Sequence, residues 1–191
     1  GADILRFSTY DPFGKELFTW SWPLKTNKKL VQELLADLSL DKQAVEVSEA
    51  PGKLLIAKTE SLEFTFSLRD GTLKGVENSG GKLSFGGGPV PVGIENVPAE
   101  VSWKTTEDGN LLVHGAYKEF PQHFTWQLGK DGILQLEVSN LTQNVEDLSY
   151  FGVSCDYPEE HCKGVQWMGK GPYRVYKNRM QGPQMGVWEK A

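Results

Sequence analysis

The sequence has few cysteines, no long apolar run and no excess of positive charge. Two cysteines among 191 residues are too few to build a disulfide framework. No run of about eighteen apolar residues occurs, so no membrane-spanning helix is expected. The net charge is −5, from 20 basic and 25 acidic residues, whereas nucleic-acid-binding proteins concentrate basic side chains. We therefore expect neither nucleic acid nor a membrane among the partners.

Metal and nucleotide motifs are missing as well. His161 and Cys162 are adjacent, but no second ligand pair has the spacing of a zinc site. The three glycines at 86–88 lack the Gly-Lys-Ser/Thr that completes a phosphate-binding loop. We therefore expect no metal and no cofactor. Cys155 and Cys162 are either unrelated thiols or a small disulfide loop, and the sequence leaves both possibilities open.

Glycine and tryptophan are frequent, with 21 and six residues respectively. Glycine adopts the positive φ angles that tight turns need, and short apolar segments here alternate with turn signals such as Asp11-Pro12-Phe13-Gly14. Roughly ten short strands at this spacing predict an all-β, two-sheet sandwich. The predicted strands lie at residues 4–10, 17–22, 54–57, 62–68, 73–76, 100–105, 111–120, 124–128, 133–138, 148–157 and 164–168.

Three segments depart from this pattern. Residues 27–38 have leucines at helical spacing and predict the one helix of the chain, with Thr26 or Asn27 as its cap. Residues 39–52 are polar and end in Pro-Gly, which indicates a linker. Residues 86–93 contain Pro89 and Pro91, so we expect an edge strand or a loop there. These features divide the chain into an N-terminal segment, 1–50, and a main domain, 51–191.

The densest group of potential ligand-binding side chains lies near the C-terminal end. Aromatic rings stack on the C–H faces of sugars, while arginine, asparagine and lysine donate hydrogen bonds to sugar hydroxyls. The same side chains can instead join the loop to its own sheet or to a neighbouring domain, and the sequence leaves both alternatives open. The candidate residues are Trp167, Lys170, Tyr173, Arg174, Tyr176, Asn178 and Arg179.

No catalytic residues can be nominated from the sequence. A glycosidase needs two carboxylates at a defined separation, and no pair of the many glutamates stands out. The three histidines lie in no context that marks a catalytic triad. The residues themselves therefore nominate no catalytic pair.

The block Gln166-Trp167-Met168-Gly169-Lys170-Gly171-Pro172-Tyr173, continued by Lys177-Asn178-Arg179 and Gly182, resembles the β-galactosidase small-chain domain of family 2 glycoside hydrolases. That domain has a similar block of tryptophan, glycine–x–glycine–proline and arginine. Residues 64–73 and 148–153 look like strands of the same domain. Residues 4–24 resemble the end of the immunoglobulin-like domain that precedes it.

This resemblance implies a supersandwich similar to galactose mutarotase, with a small N-terminal strand and helix segment. It also implies that the catalytic glutamates belong to a separate (β/α)8 barrel. We therefore expect this chain to be an accessory piece, truncated at its C-terminus, of a longer bacterial enzyme, and to hydrolyse nothing alone. Carbohydrate and the remaining domains of that enzyme are the expected partners, in the periplasm or outside the cell rather than in the cytoplasm. Family members are more acidic and amide-rich around Tyr173 and Arg174, so specificity for galactose does not carry over.

Two other functions stay open. A stand-alone carbohydrate-binding module needs exposed aromatic rings, for which the tryptophans at 20, 22, 103, 126 and 188 are candidates, although we expect most of them in the core. A mutarotase-like epimerase needs a glutamate and a histidine that converge in one cleft. The sequence leaves the substrate sugar, its linkage and the oligomeric state open.

Overall fold

Antiparallel strands make up nearly all of the regular structure. The computed structural model describes residues 3–26, 29, 33, 43–92, 99–117, 123–139, 152–172, 178 and 182–190. The strands are β1 (Ile4–Tyr10), β2 (Glu16–Pro23), β3 (Glu46–Ala50), β4 (Leu54–Lys58), β5 (Leu62–Ser67), β6 (Leu73–Asn78), β7 (Gly81–Leu83), β8 (Gly86–Val92), β9 (Ala99–Thr105), β10 (Leu111–Tyr117), β11 (His123–Leu128), β12 (Leu134–Ser139), β13 (Gly152–Asp156), β14 (Val165–Gly171) and β15 (Gln184–Lys190). A short 3-10 helix, Glu159–His161, follows β13. The predicted all-β class is confirmed.

The chain divides into two compact units. The central unit comprises Ser39–His161, and the terminal unit combines Gly1–Leu38 with Cys162–Ala191. The central unit contains two antiparallel sheets: one has the order β13-β8-β6-β5-β4-β3 with β7 also paired to β6, and the other has the order β12-β11-β10-β9. The terminal unit contains the hairpins β1-β2 and β14-β15. Its two parts are therefore far apart in the sequence.

The core of the central unit lies between its two sheets. Phe64 and Phe66 alternate on β5, and Phe124, Trp126 and Leu128 alternate on β11; all five side chains are buried. Alternate residues of a strand project to one face, so each sheet presents one apolar face to the core. The indole nitrogen of Trp126 donates a hydrogen bond to the carbonyl oxygen of Gly71 at 3.0 Å, which satisfies its buried polar atom. The predicted two-sheet sandwich is confirmed in this unit.

Tyr117, at the end of β10, makes the stability of the central unit fall at alkaline pH. Burial raises the pKa of its phenol from 10.0 to about 12, and the negative charge of Asp70 acts in the same direction. An unfolded tyrosine ionises near pH 10, so this contribution is intact below about pH 10 and is lost as the pH rises towards 12. We expect wild type to lose more stability than Tyr117→Phe between pH 9 and pH 11, measured as urea midpoints. Parallel pH profiles for the two proteins would contradict this.

The segment 39–52, predicted to be a linker, contains a strand. Val45 is buried in the core, and β3 pairs with β4 from Glu46↔Lys58 to Ala50↔Leu54. β3 is an edge strand with mostly exposed polar side chains, so its composition is that of a loop although its backbone is paired. The linker interpretation was wrong for this part of the segment.

The prediction of an edge strand or a loop at residues 86–93 was also wrong, because the stretch contains the inner strand β8. β8 lies between β13 and β6 in the larger sheet. Its register with β6 consists of one position, Leu73↔Gly88, so Pro89 and Pro91 have no paired positions on that side. The missing N–H groups of the two prolines are therefore tolerated inside the sheet.

The terminal unit confirms the predicted N-terminal hairpin. The Asp11 carboxylate accepts hydrogen bonds from the backbone nitrogens of Phe13 at 2.9 Å and Lys15 at 2.8 Å, which fixes the turn. The chain after β14, where no strand was predicted, contains the strand β15. Arg6 donates a hydrogen bond to the carbonyl oxygen of Met185 at 3.0 Å, and the Met185 nitrogen donates to Ser21 Oγ at 2.7 Å. These contacts join the two hairpins.

The predicted helix at residues 27–38 lies outside the described residues, apart from Lys29 and Glu33, which are both helical. Thr26 Oγ1 accepts a hydrogen bond from the Lys29 backbone nitrogen at 3.3 Å. This is the contact that a helix-capping threonine makes.

Candidate functional site

The hairpin β14-β15 carries the described part of the predicted carbohydrate-binding block. In its register Trp167 lies opposite Trp188, and Gly169 lies opposite Gly186. Directly opposed residues share one face of an antiparallel pair, and so do residues two positions further along each strand. Gly171 therefore belongs to the same face. We call these two tryptophans and three glycines the indole face.

Glycine is required on this face because an indole packs directly against the backbone. A β-carbon on Gly171 would lie 2.6–2.8 Å from atoms of the Trp188 ring, closer than packing permits. The Trp188 indole nitrogen donates a hydrogen bond to the carbonyl oxygen of Gly169 at 3.0 Å. The glycine–x–glycine of the block thus holds a tryptophan from the neighbouring strand in a fixed position.

Both indoles of this face are half-buried and leave part of their surface open. Trp167 donates a hydrogen bond to the carbonyl oxygen of Lys170 at 3.4 Å, within its own strand. Because strand side chains alternate, the exposed Lys170 side chain projects from the opposite face. The structure therefore groups Trp167 with Trp188 and separates it from Lys170.

The remaining predicted site residues fall mostly outside the described part of the chain. Asn178 is described, and its side chain is exposed in a turn between β14 and β15. Tyr173, Arg174, Tyr176 and Arg179 lie outside the described residues. Their roles stay predictions.

The other tryptophans behave in two ways. Trp126 is fully packed in the core, and Trp103 is half-buried with its indole nitrogen 3.0 Å from Glu49 Oε1. Trp20 and Trp22 are 41% and 48% exposed on β2, so the expectation of core positions was wrong for these two. Trp20 packs against Phe18 at a ring-centroid distance of 4.6 Å.

A second group of polar side chains, which the sequence analysis did not single out, lines a cleft in the central unit. The cleft has a volume of about 910 Å³. Ser84 Oγ and His161 Nδ1 are joined by a hydrogen bond at this cleft. The polar and aromatic residues that line it include Lys74, Lys82, Ser84, Phe85, Asp156, Tyr157 and His161. The one sequence signal is the break in alternation at Lys74-Gly75, between the buried Leu73 and Val76.

The two cysteines are free thiols, so no disulfide closes the loop between them. Burial raises the pKa of the Cys155 thiol, and the nearby Asp156 carboxylate adds to this. Within the described residues, no group of three or more His, Cys, Asp or Glu side chains is placed to hold a metal ion. In the same part of the chain, no helix has the length and apolar character needed to cross a membrane.

Comparison with known protein families places about half of the chain in one family. Residues 94–191 match the family described as "Beta galactosidase small chain". The matched region includes the central strands β9 to β13 and the whole β14-β15 hairpin. No curated protein matches the chain.

Proposed function

Because this chain belongs to the β-galactosidase small-chain family, we propose that it is a non-catalytic accessory β-sandwich region of a family 2 glycoside hydrolase. In this proposal the region supports a catalytic barrel in another part of the parent enzyme and contributes side chains to carbohydrate binding. The parent enzyme is bacterial and acts in the periplasm or outside the cell.

The indole face is the observation that supports a role in carbohydrate binding. Trp167 and Trp188 are anchored on opposing strands through their ring nitrogens, yet neither is fully buried. Rings fixed in this way present apolar surface to the C–H groups of a sugar without losing side-chain freedom on binding. The exposed Asn178 amide, between the same two strands, adds both hydrogen-bond donors and an acceptor.

The carboxylates near this face favour binding over hydrolysis. Hydrolysis of a glycoside needs an acid and a second carboxylate on either side of the scissile bond. Glu189 is the one acidic residue of β14 and β15, and strand alternation places it on the face opposite the two indoles. Within the described strands of this hairpin, no carboxylate therefore shares a face with the two indoles.

Titration of the chain with galactose, lactose and plant-polysaccharide oligomers tests this function. We expect binding without turnover of aryl glycosides, and we expect Trp167→Ala to weaken binding by at least about fivefold through loss of ring contact. Trp20→Ala is the matched control, because it removes a partly exposed indole from the other hairpin.

Three results would count against the proposal. Turnover by the chain alone would contradict a non-catalytic role. Equal binding by wild type and Trp167→Ala would remove the indole face from the site. Loss of binding in Trp20→Ala alone would favour a carbohydrate-binding module built on the β1-β2 hairpin.

A further inference from the structure

The cleft of the central unit lies where the larger sheet divides. β6 pairs with β7 through Val76, Glu77 and Asn78, and it pairs with β8 only through Leu73. Between these two pairings, Lys74 and Gly75 have no ladder partner on that side among the residues that the structure describes. An opening in a sheet exposes backbone and side chains that a continuous ladder would cover.

Irregular pairing on two strand pairs borders the same cleft. Between β5 and β6 the pairing passes from Thr65↔Gly75 to Phe66↔Leu73, so Lys74 of β6 is an extra residue without a position opposite it on β5. Between β13 and β8 the pairing passes from Ser154↔Val90 to Asp156↔Gly86, so three residues of β8 lie opposite Cys155 of β13. Bulges redirect side chains and are frequent beside functional sites. The bulge on β6 keeps Leu73 and Val76 in the core and leaves Lys74 exposed.

Two ammonium groups line the cleft. Lys74 Nζ makes a long ion pair with Asp70 Oδ2, at 3.8 Å, between two half-exposed side chains. Lys82 makes no ion pair within the described residues, and its Cε lies 3.2 Å from the place where a β-carbon on Gly75 would stand. The absence of a side chain at Gly75 thus lets Lys82 extend across β6. Asp156 is the one acidic side chain among the described residues that line the cleft, although the chain as a whole carries a net charge of −5.

Apolar rings and uncharged polar groups complete the lining. Phe85 and Tyr157 are 43% and 53% exposed, which is unusual for large aromatic side chains. Ser84 and His161 are joined by their hydrogen bond, and Asp156 supplies carboxylate oxygens that accept hydrogen bonds from hydroxyl groups. The volume of about 910 Å³ is in the upper part of the range for small-molecule clefts.

We propose that this cleft binds a sugar ring that carries one anionic substituent, a carboxylate or a sulfate ester. Lys74 and Lys82 pair with the anion, Phe85 and Tyr157 contact the ring, and Ser84, His161 and Asp156 bind hydroxyl groups. A charged hydrogen bond is stronger than a neutral one, so the anion determines the preference among otherwise similar sugars. That the ligand is a sugar rests on the proposed carbohydrate-binding function. The preference of the cleft for an anionic substituent does not depend on the indole face.

NMR titration with galactose, galacturonate and galactose 6-sulfate tests this proposal, because the three sugars differ at one substituent. We expect at least one of the anionic sugars to bind about tenfold or more tightly than galactose. Whichever anion is preferred identifies the substituent. In the double variant Lys74→Gln/Lys82→Gln this preference should disappear, and amide spectra verify that the variant is folded.

Lys104→Gln is the matched control, since it removes an exposed positive charge on β9, outside the cleft, and should keep the preference. Equal affinity for all three sugars, or a preference that survives in the double variant, would overturn the proposal. Trp167→Ala distinguishes the two sites. It should weaken the binding of neutral sugars at the indole face and leave the preference of the cleft for anionic sugars unchanged. If neutral sugars do not bind but the lysine-dependent preference is present, the indole-face site fails and the cleft stands.

Discussion

Replacing Phe124 with alanine lowers the free energy of unfolding of the central unit by about 3–5 kcal/mol, the range for loss of a buried aromatic side chain. Phe124 is fully buried on β11, and its ring centroid lies 5.7 Å from that of Tyr117. The ring also lies against Gly71 and Gly115, which have no side chains that can move into the vacated space. The cavity should therefore stay open, and its full cost should appear as a lower urea midpoint with an unchanged slope.

Phe13→Ala is the control for this experiment, because it makes the same chemical change at a side chain that is 94% exposed in the turn between β1 and β2. We expect it to alter stability by less than about 0.5 kcal/mol, as surface substitutions usually do. A loss of less than about 1 kcal/mol for Phe124→Ala would mean that the two sheets are not packed around this ring as the structure has them.

The sandwich could be predicted wherever one face of a strand is buried and the other is open. The alternation of Phe64 with Phe66 and of Phe124 with Trp126 records this difference directly in the sequence. The prediction missed the strands β3, β7, β8 and β15. Edge position makes β3 largely polar, and the single paired position between β6 and β8 tolerates two prolines. These properties depend on which strands become neighbours, which local sequence does not specify.

The two candidate sites also differ in how far they could be predicted from the sequence. The indole face was partly predictable, because Trp167, Gly169 and Gly171 lie close together in the sequence, although their partner Trp188 belongs to another strand. The cleft was not predicted, because His161 lies 77 positions along the chain from its hydrogen-bond partner Ser84. The two bulges that border the cleft depend on strand pairing and leave no local residue pattern. Composition identifies residues that suit a ligand, but tertiary pairing decides which of them meet.

Gly115→Ala should lower the free energy of unfolding by about 1–3 kcal/mol, the usual cost of forcing an extra group into a packed core. Gly115 lies in β10, directly opposite Phe124 on β11. A β-carbon there would lie 2.1 Å from Phe124 Cζ, and it would lie 2.3 Å and 2.8 Å from two other ring atoms. Apart from this collision, replacing a glycine inside a strand with alanine is favourable because glycine loses more backbone entropy on folding, so the loss reports the contact with the ring. Urea unfolding of the variant measures it.

The double variant Gly115→Ala/Phe124→Ala tests whether the collision with the Phe124 ring is the cause of the lost stability. The three atoms closest to the added methyl group all belong to the ring, so without the ring Gly115→Ala should cost less than about 0.5 kcal/mol. The resulting coupling of about 1–3 kcal/mol lies within the range for residues in direct contact. Gly152→Ala on β13 is the control, since a β-carbon there would meet only Val92, at an ordinary 3.6 Å. Additive effects of the two substitutions would show that Gly115 is needed for its backbone rather than for the ring. Strong coupling would establish that the Phe124 ring occupies the space directly over Gly115 on the neighbouring strand.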